Sequence, residues 1–348
     1  MTLSVLRIGY VPLTDAAPLV VADALGFFAA AGVRVALSRE RAWASLRDKL
    51  AFGALDGAHL LGPMAVGLAF GAGGLKRRVD VTARLGRNGN GVVLSHALAG
   101  AVPDFAAPLS AAAFAAALHA RAEDGMPPPT LAVVFPFSSH NYLLRQWLAS
   151  GGLDPDHDVR LVVVPPPQTA RALAEGAIEG FCAGEPWGSH AVAQGVGRYA
   201  LSTGDIWPDH PEKVLAFGEG LAERAPDAVV AATAAVIAAQ RWLVDPANRP
   251  AAVALLAERA FPGVAPTTIA AALEGRPGAP PLAFDPDTPP CAETATRWFD
   301  AMRRWDHLPA AASVDDARAC WRADLWQRAA ERAAAPAPFI PTAQEPLA

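Results

Sequence analysis

The chain has 348 residues, of which 52% are hydrophobic and 18% charged, with a formal net charge of −5. That length exceeds one ordinary core and suits two lobes, and the acidic balance excludes bulk nucleic-acid binding, which needs a basic face. Three widely spaced cysteines, Cys182, Cys291 and Cys320, give neither a disulfide framework nor a zinc motif, and each reads as a small buried hydrophobe.

Residues 1–10 run directly into an apolar strand over 5–11, with no export signal ahead of it, so a cytoplasmic location is expected. Asp23 breaks the best apolar run, and no bilayer span is expected. A helix begins at Asp15, with Pro18 in its first turn. A strand over 33–37, a helix over 43–50 and a strand over 58–61 follow, and this alternation predicts a parallel sheet. A strand over 79–85 leads to the turn Asn88-Gly89-Asn90-Gly91.

The second lobe begins at 92. Its expected elements are a helix over 105–122, a strand over 131–135, and a helix opened by Ser138-Ser139-His140-Asn141. A strand over 159–164, a helix over 169–176 and a strand over 180–183 complete it. The chain crosses back after 202. The remainder reads as mainly helical, with a Pro-rich loop over 275–290 and a flexible tail from 333. The lobes are therefore 1–91 with 203–332, and 92–202. Two α/β lobes joined by two crossings make a hinge with a cleft between them, a general location for small ligands.

The helices starting at Asp15 and Ser138 offer unpaired N–H groups and positive dipole ends, which favour an anion. Pro12, Asp15 and Ser139 fall where they would line the cleft. His140, in a first helical turn, is placed to donate to a ligand oxygen or to cap, and an anion would couple to its protonation. Trp43 reads as a pocket wall or as core packing. Asn88 and Asn90 are amide donors or ordinary turn residues. Lys213 is one of three lysines and stands just past the second crossing, a point-charge partner for an anion or a surface residue. Glu185 and Trp187 read as hinge or cleft lining, with Glu185 needing a cation such as Lys213 beside it. His59, on an apolar run, reads as a satisfied core histidine. No GxSxG, P-loop, HExxH or CxxC motif is present. No metal or other cofactor is expected.

Several motifs together resemble the nitrate/bicarbonate substrate-binding proteins related to NrtA and CmpA. They include residues 9–22 (GYVPLTDAAPLVVA), Trp43 with Arg47-Asp48-Lys49, and residues 53–59 (GALDGAH). Asn88-Gly89-Asn90, Ser139-His140-Asn141, residues 165–168 (PPPQ), residues 184–187 (GEPW) and residues 204–213 (GDIWPDHPEK) complete the match. The resemblance implies a two-lobed type II periplasmic-binding-protein fold, a venus flytrap. It places an oxyanion among Trp43, the Asn88/Asn90 turn, His140 and Lys213. Without an export signal the chain looks like the cytoplasmic nitrate/nitrite sensors of the NasS kind. By resemblance, these hold a NasT-like RNA-binding antiterminator and release it when ligand binds. A receptor for an ABC transporter, or an enzyme of the thiamine-pyrimidine or menaquinone type on the same fold, are the competing expectations. Lys213→Ala and His140→Ala are each expected to weaken binding without unfolding the protein.

Overall fold

The computed structural model describes residues 5–275 and 281–334. In chain order its strands are β1 (Leu6–Tyr10), β2 (Val35–Arg39), β3 (Gly57–Leu61), β4 (Val79–Arg84) and β5 (Asn90–Ser95). They continue with β6 (Thr130–Val133), β7 (Arg160–Val163), β8 (Gly180–Gly184), β9 (Gly197–Ser202) and β10 (Lys213–Gly218). They form two five-stranded sheets, ordered β2-β1-β3-β10-β4 and β7-β6-β8-β5-β9.

Both sheets follow one plan. Around β1 and around β6 the pairing is parallel, as crossover helices require. The fourth position in each sheet is filled by the strand that has just arrived from the other lobe, running antiparallel. That strand is β10 between β3 and β4, and β5 between β8 and β9. The segments 85–89 and 203–212 are thus the two crossings. The sheet expected to be parallel in the first lobe is mixed, and the region expected to be mainly helical after 202 contains β10. Its sequence KVLAFG is a short apolar run, which periodicity alone cannot assign to strand or helix.

Two boundaries also move. β5 starts at Asn90, two residues before the expected start of the second lobe. The helix expected from 105 begins only at Ala111, where Ser110 caps it by accepting from Ala113 N. Pro108 has no N–H, and its ring biases the preceding residue away from helix. The last described helix, Ala323–Ala334, runs through Ala333. The rest of the expected tail (335–348) and part of the expected Pro-rich loop (276–280) lie outside the described residues.

The helices Ala17–Ala24 and Ala323–Ala334 pack on Pro226–Val244 beside the first sheet. The Pro226–Val244 helix is long and apolar enough to cross a membrane by composition, but 67% of its apolar window is buried in this core. Val236 and Ile237 on it are fully buried, each contributing about 1.5–3 kcal/mol by burial. The second lobe has its own core, where Phe114 meets Trp147 with ring centroids 5.0 Å apart. Cys182 and Cys320 are buried, as expected of small hydrophobes, whereas Cys291 is half-buried.

The lobes touch across the cleft. Trp187 Nε1 donates to the Pro12 carbonyl at 2.8 Å, and Thr14 donates from N and Oγ1 to the Glu185 carbonyl at 2.7 and 3.1 Å. Gly184, the last residue of β8, lies so close to Leu13 that a Cβ on it would fall 2.3 Å from Leu13 Cδ2. Farther out, the Tyr142 hydroxyl sits 2.8 Å from His307 Nδ1.

Candidate functional site

The chain leaves β1 through Pro12 and enters a short 3-10 turn, Thr14–Ala16, which carries Asp15 into the interior. β3 presents His59, and Trp43 opens the helix Trp43–Ala51. From the second lobe, Ser138 caps the helix Ser139–Ser150 by accepting from Asn141 N, which leaves the first-turn N–H groups of Ser139 and His140 toward the cleft end. The crossings and the strands they lead into supply Asn90 at the start of β5, His210 and Glu212 in the second crossing, and Lys213 at the start of β10. Asp15, Trp43, His59, Asn90, Ser139, His140, His210, Glu212 and Lys213 are all buried.

Lys213 is the centre. Its Nζ lies 2.9 Å from Asp15 Oδ2, 2.6 Å from Glu212 Oε2, 3.0 Å from Asn90 Oδ1 and 3.5 Å from His140 Nε2. Asp15 Oδ1 in turn accepts from His59 Nε2 at 2.9 Å, and the His59 ring lies 5.2 Å from Trp43. Asn90 Nδ2 donates to Glu212 Oε1. His210 Nδ1 stands 3.3 Å from that same oxygen, and its Nε2 meets Thr203 Oγ1 at 2.7 Å. One polar network therefore joins both crossings to both lobes.

Its charges are interdependent. Burial opposes ionisation of Asp15, but Lys213 and His59 outweigh it and hold that carboxyl far below its ordinary range. Burial likewise opposes ionisation of Glu212, and Lys213, His140 and His210 hold it low. Burial pulls Lys213 down, and the two carboxylates more than reverse this. His140 is pushed down to about 3 by burial and then by the Lys213 charge. Burial also lowers His59 and His210.

Four buried polar atoms at this network have no hydrogen-bond partner: Trp43 Nε1, His59 Nδ1, Ser139 Oγ and His140 Nδ1. Burying such groups unpaired costs on the order of 1–3 kcal/mol each, so a set of them in one place marks a place for a ligand. The three N–H groups of Lys213 go to Asp15, Glu212 and Asn90, and its ammonium stands 3.5 Å from His140 Nε2; the ring therefore turns its lone pair to the cation and carries its proton on Nδ1. With Trp43 Nε1–H and the Ser139 hydroxyl it makes a set of donors beside an ammonium and a helix N-terminus, which is what an oxyanion requires.

The structure thus brings Trp43, Asn90, His140, Lys213, Asp15 and Ser139 together. It places others differently. Asn88 stays on the hinge, with φ of 58° and its Nδ2 3.4 Å from Asp209 Oδ1. Asn90 spends its amide on Glu212 and Lys213 instead of presenting both ends to a ligand. Glu185 Oε2 accepts from Ser189 N in the helix Trp187–Ala193, while Asp15 and Glu212 are the carboxylates at 2.9 and 2.6 Å from Lys213 Nζ. Pro12 and Trp187 tie the lobes together. Lys213 carries two carboxylates, so its truncation to Ala would strip both of their cation, and the expectation that it leaves the fold untouched no longer follows. Glu212, His210 and the open side of His59 were not anticipated. Among the described residues, no group of three or more His, Cys, Asp or Glu is arranged to hold a metal ion.

The model of the NMT1-like family matches residues 2–257. The sequence is 33% identical to the nitrate/nitrite binding protein NrtA of Synechocystis sp. (strain PCC 6803), over 97% of this chain and 78% of that one. It is 30% identical to the bicarbonate-binding protein CmpA of Synechococcus elongatus, over 97% and 80%. The crystal structure of the periplasmic nitrate-binding protein NrtA from Synechocystis PCC 6803 superposes with a TM-score of 0.86 at 31% identity, covering 97% of this chain and 90% of that chain.

Proposed function

Because the chain belongs to the NMT1-like family, and within it to the nitrate- and bicarbonate-binding proteins, we propose that it closes its lobes on a small oxyanion, nitrate or nitrite, and works as a binding protein. One observation carries the reading. Trp43 Nε1, Ser139 Oγ and His140 Nδ1 are buried, unpartnered and able to donate, and they belong to the network around Lys213. The two lobes supply different members of this set, so a ligand satisfies it only when the lobes are together. A ligand shifts a conformational equilibrium by its preference for one arrangement, and this is such a preference. Titration calorimetry with nitrate, nitrite, bicarbonate and an alkanesulfonate tests it. Binding of a small oxyanion without turnover is expected, and no heat with any of them would refute it.

The finer reading is a cytoplasmic sensor that releases an RNA-binding antiterminator partner, of the NasT kind, on ligand closure. Support comes from a groove of about 480 Å³ that both lobes and the second crossing build. Tyr142 lines it from the second lobe, Trp207 from the crossing, and Trp298 and Trp305 from the first lobe. Arg297 stacks over Trp207 at 5.0 Å and Arg304 over Trp305 at 5.1 Å. Aromatic and Arg side chains are the residues that dominate protein interfaces, and a groove built from both lobes changes shape when they move. A partner complex that nitrate and nitrite leave intact would exclude the sensor and favour delivery to an ABC permease.

A further inference from the structure

His59 stands on β3, fully buried, with Asp15 from the turn after β1 on one side and Trp43 on the other. Asp15 is ionised and can only accept, so His59 Nε2 carries the hydrogen of that contact and Nδ1 holds a bare lone pair. Nδ1 has no partner. The other unpartnered atoms differ in kind: Trp43 Nε1 and His140 Nδ1 donate, and the Ser139 hydroxyl can do either. Nitrate brings acceptors alone. It answers the donors and leaves the lone pair of His59 unanswered.

The charge count points the same way. Lys213 is already offset twice, by Asp15 at 2.9 Å and Glu212 at 2.6 Å. The helix N-termini add a partial positive charge of about 0.5 each. These leave the empty network near neutrality, and an entering anion brings one negative charge, which one proton taken up beside it would balance.

We infer that His59 is a ligand-binding residue that takes up a proton when a hydrogen-free oxyanion such as nitrate enters. A hydrogen-carrying oxyanion such as bicarbonate instead donates to the neutral ring. This rests on the oxyanion reading and extends it to how the two anion classes are told apart. The protonated ring would hold its Nε2–H on Asp15 and offer Nδ1–H to the anion. Asp15 and Glu212 favour that charge and Lys213 opposes it; burial, the largest influence, keeps the empty site's ring neutral. The other candidates for the proton are worse placed. A second proton on His140 would point at the Lys213 ammonium 3.5 Å away. Glu212 is held by donors from Lys213 and Asn90. His210 already engages Thr203 and Glu212.

Calorimetry of nitrate binding at pH 7, in two buffers of different ionisation enthalpy, reads the protons taken up. About one is expected per nitrate, with affinity falling by up to about tenfold per pH unit between roughly pH 7 and 9. Bicarbonate at pH 8 should bind with none. In His59→Gln, which keeps a donor for Asp15, nitrate uptake of protons should vanish and the pH dependence flatten. Nitrate binding with no proton uptake in the wild-type protein overturns the inference while leaving the oxyanion reading intact, and so does uptake unchanged in His59→Gln. If neither anion binds the wild-type protein, the oxyanion reading fails and this inference with it. Should His59→Gln not fold, the two wild-type measurements decide alone.

Discussion

Replacing Lys213 by Met keeps the bulk of the buried side chain and removes its ammonium. Two carboxylates, Asp15 at 2.9 Å and Glu212 at 2.6 Å, then face each other's surroundings with no cation. Removing one partner of a buried ion pair costs about 3–5 kcal/mol, mostly the penalty of the charge left behind. Against a total stability of about 5–15 kcal/mol this is a large fraction, and with an unfolding entropy of roughly 0.7 kcal/mol/K for a chain of 348 residues it lowers the melting temperature by roughly 4–7 °C. The sign with pH follows from the shifts. In the wild type both carboxyls lie below their ordinary values, so they stabilise above about pH 4 and lose this as pH falls through their folded values. Without Lys213, burial raises both, so the variant is weakest at neutral pH and its deficit narrows on acidification. Thermal melts at pH 5 and pH 8 of Lys213→Met, and of Lys213→Met with Glu212→Gln, read this directly. The double variant should recover part of the loss. A single variant melting within about 2 °C of wild type at pH 8, below the worked range, would refute the view that Lys213 neutralises this cluster.

His140→Ala removes a donor that has no protein partner, so nitrate affinity should fall about 10- to 100-fold, the worth of a hydrogen bond to a charged group, as measured by calorimetry. Trp43→Phe keeps the ring packed against His59 and deletes only the indole N–H; a weaker ligand with an unchanged melting temperature is expected. Acid should loosen the ligand-free protein before the carboxylates titrate. His140 falls to about 3 in the folded state, so the unfolded chain gains a proton first, and stability drops by about 2 kcal/mol between about pH 6.5 and 5, at 1.36 kcal/mol per unit. Urea denaturation at those two pH values checks it. Gly184→Ala should impair ligand binding, because its Cβ would fall 2.3 Å from Leu13 Cδ2, and Leu13→Ala in the same chain should restore it.

Much of the architecture was readable because it rests on local rules. The strand and helix alternation of both lobes, the Ser138 cap and the turn at Asn88-Gly89 all announce themselves in composition and spacing. The family and the two-lobed fold expected from the motifs agree with the comparisons and the sheet order. β10 escaped because its lysine looks like a surface residue at the edge of a short apolar run. Its burial depends on Asp15, far away in the chain. Glu212 escaped for a related reason. Side chains of neighbouring strand residues point to opposite faces, yet Glu212 precedes β10, and both it and Lys213 reach Asn90. His59 was half legible: one nitrogen is satisfied in the core, and nothing in the run Ala58-His59-Leu60 shows that the other is not.

Gly184 also acts as a ruler. A methyl group there would stand 3.4 Å from Lys213 Nζ and would strike Leu13, so the jaws shut with barely an atom's clearance beside the cation. A guest bearing an alkyl tail would prop them ajar however well its head group were held. On the proposed oxyanion reading, thickness at Gly184 would then set a bare oxyanion apart from its alkyl-bearing cousins.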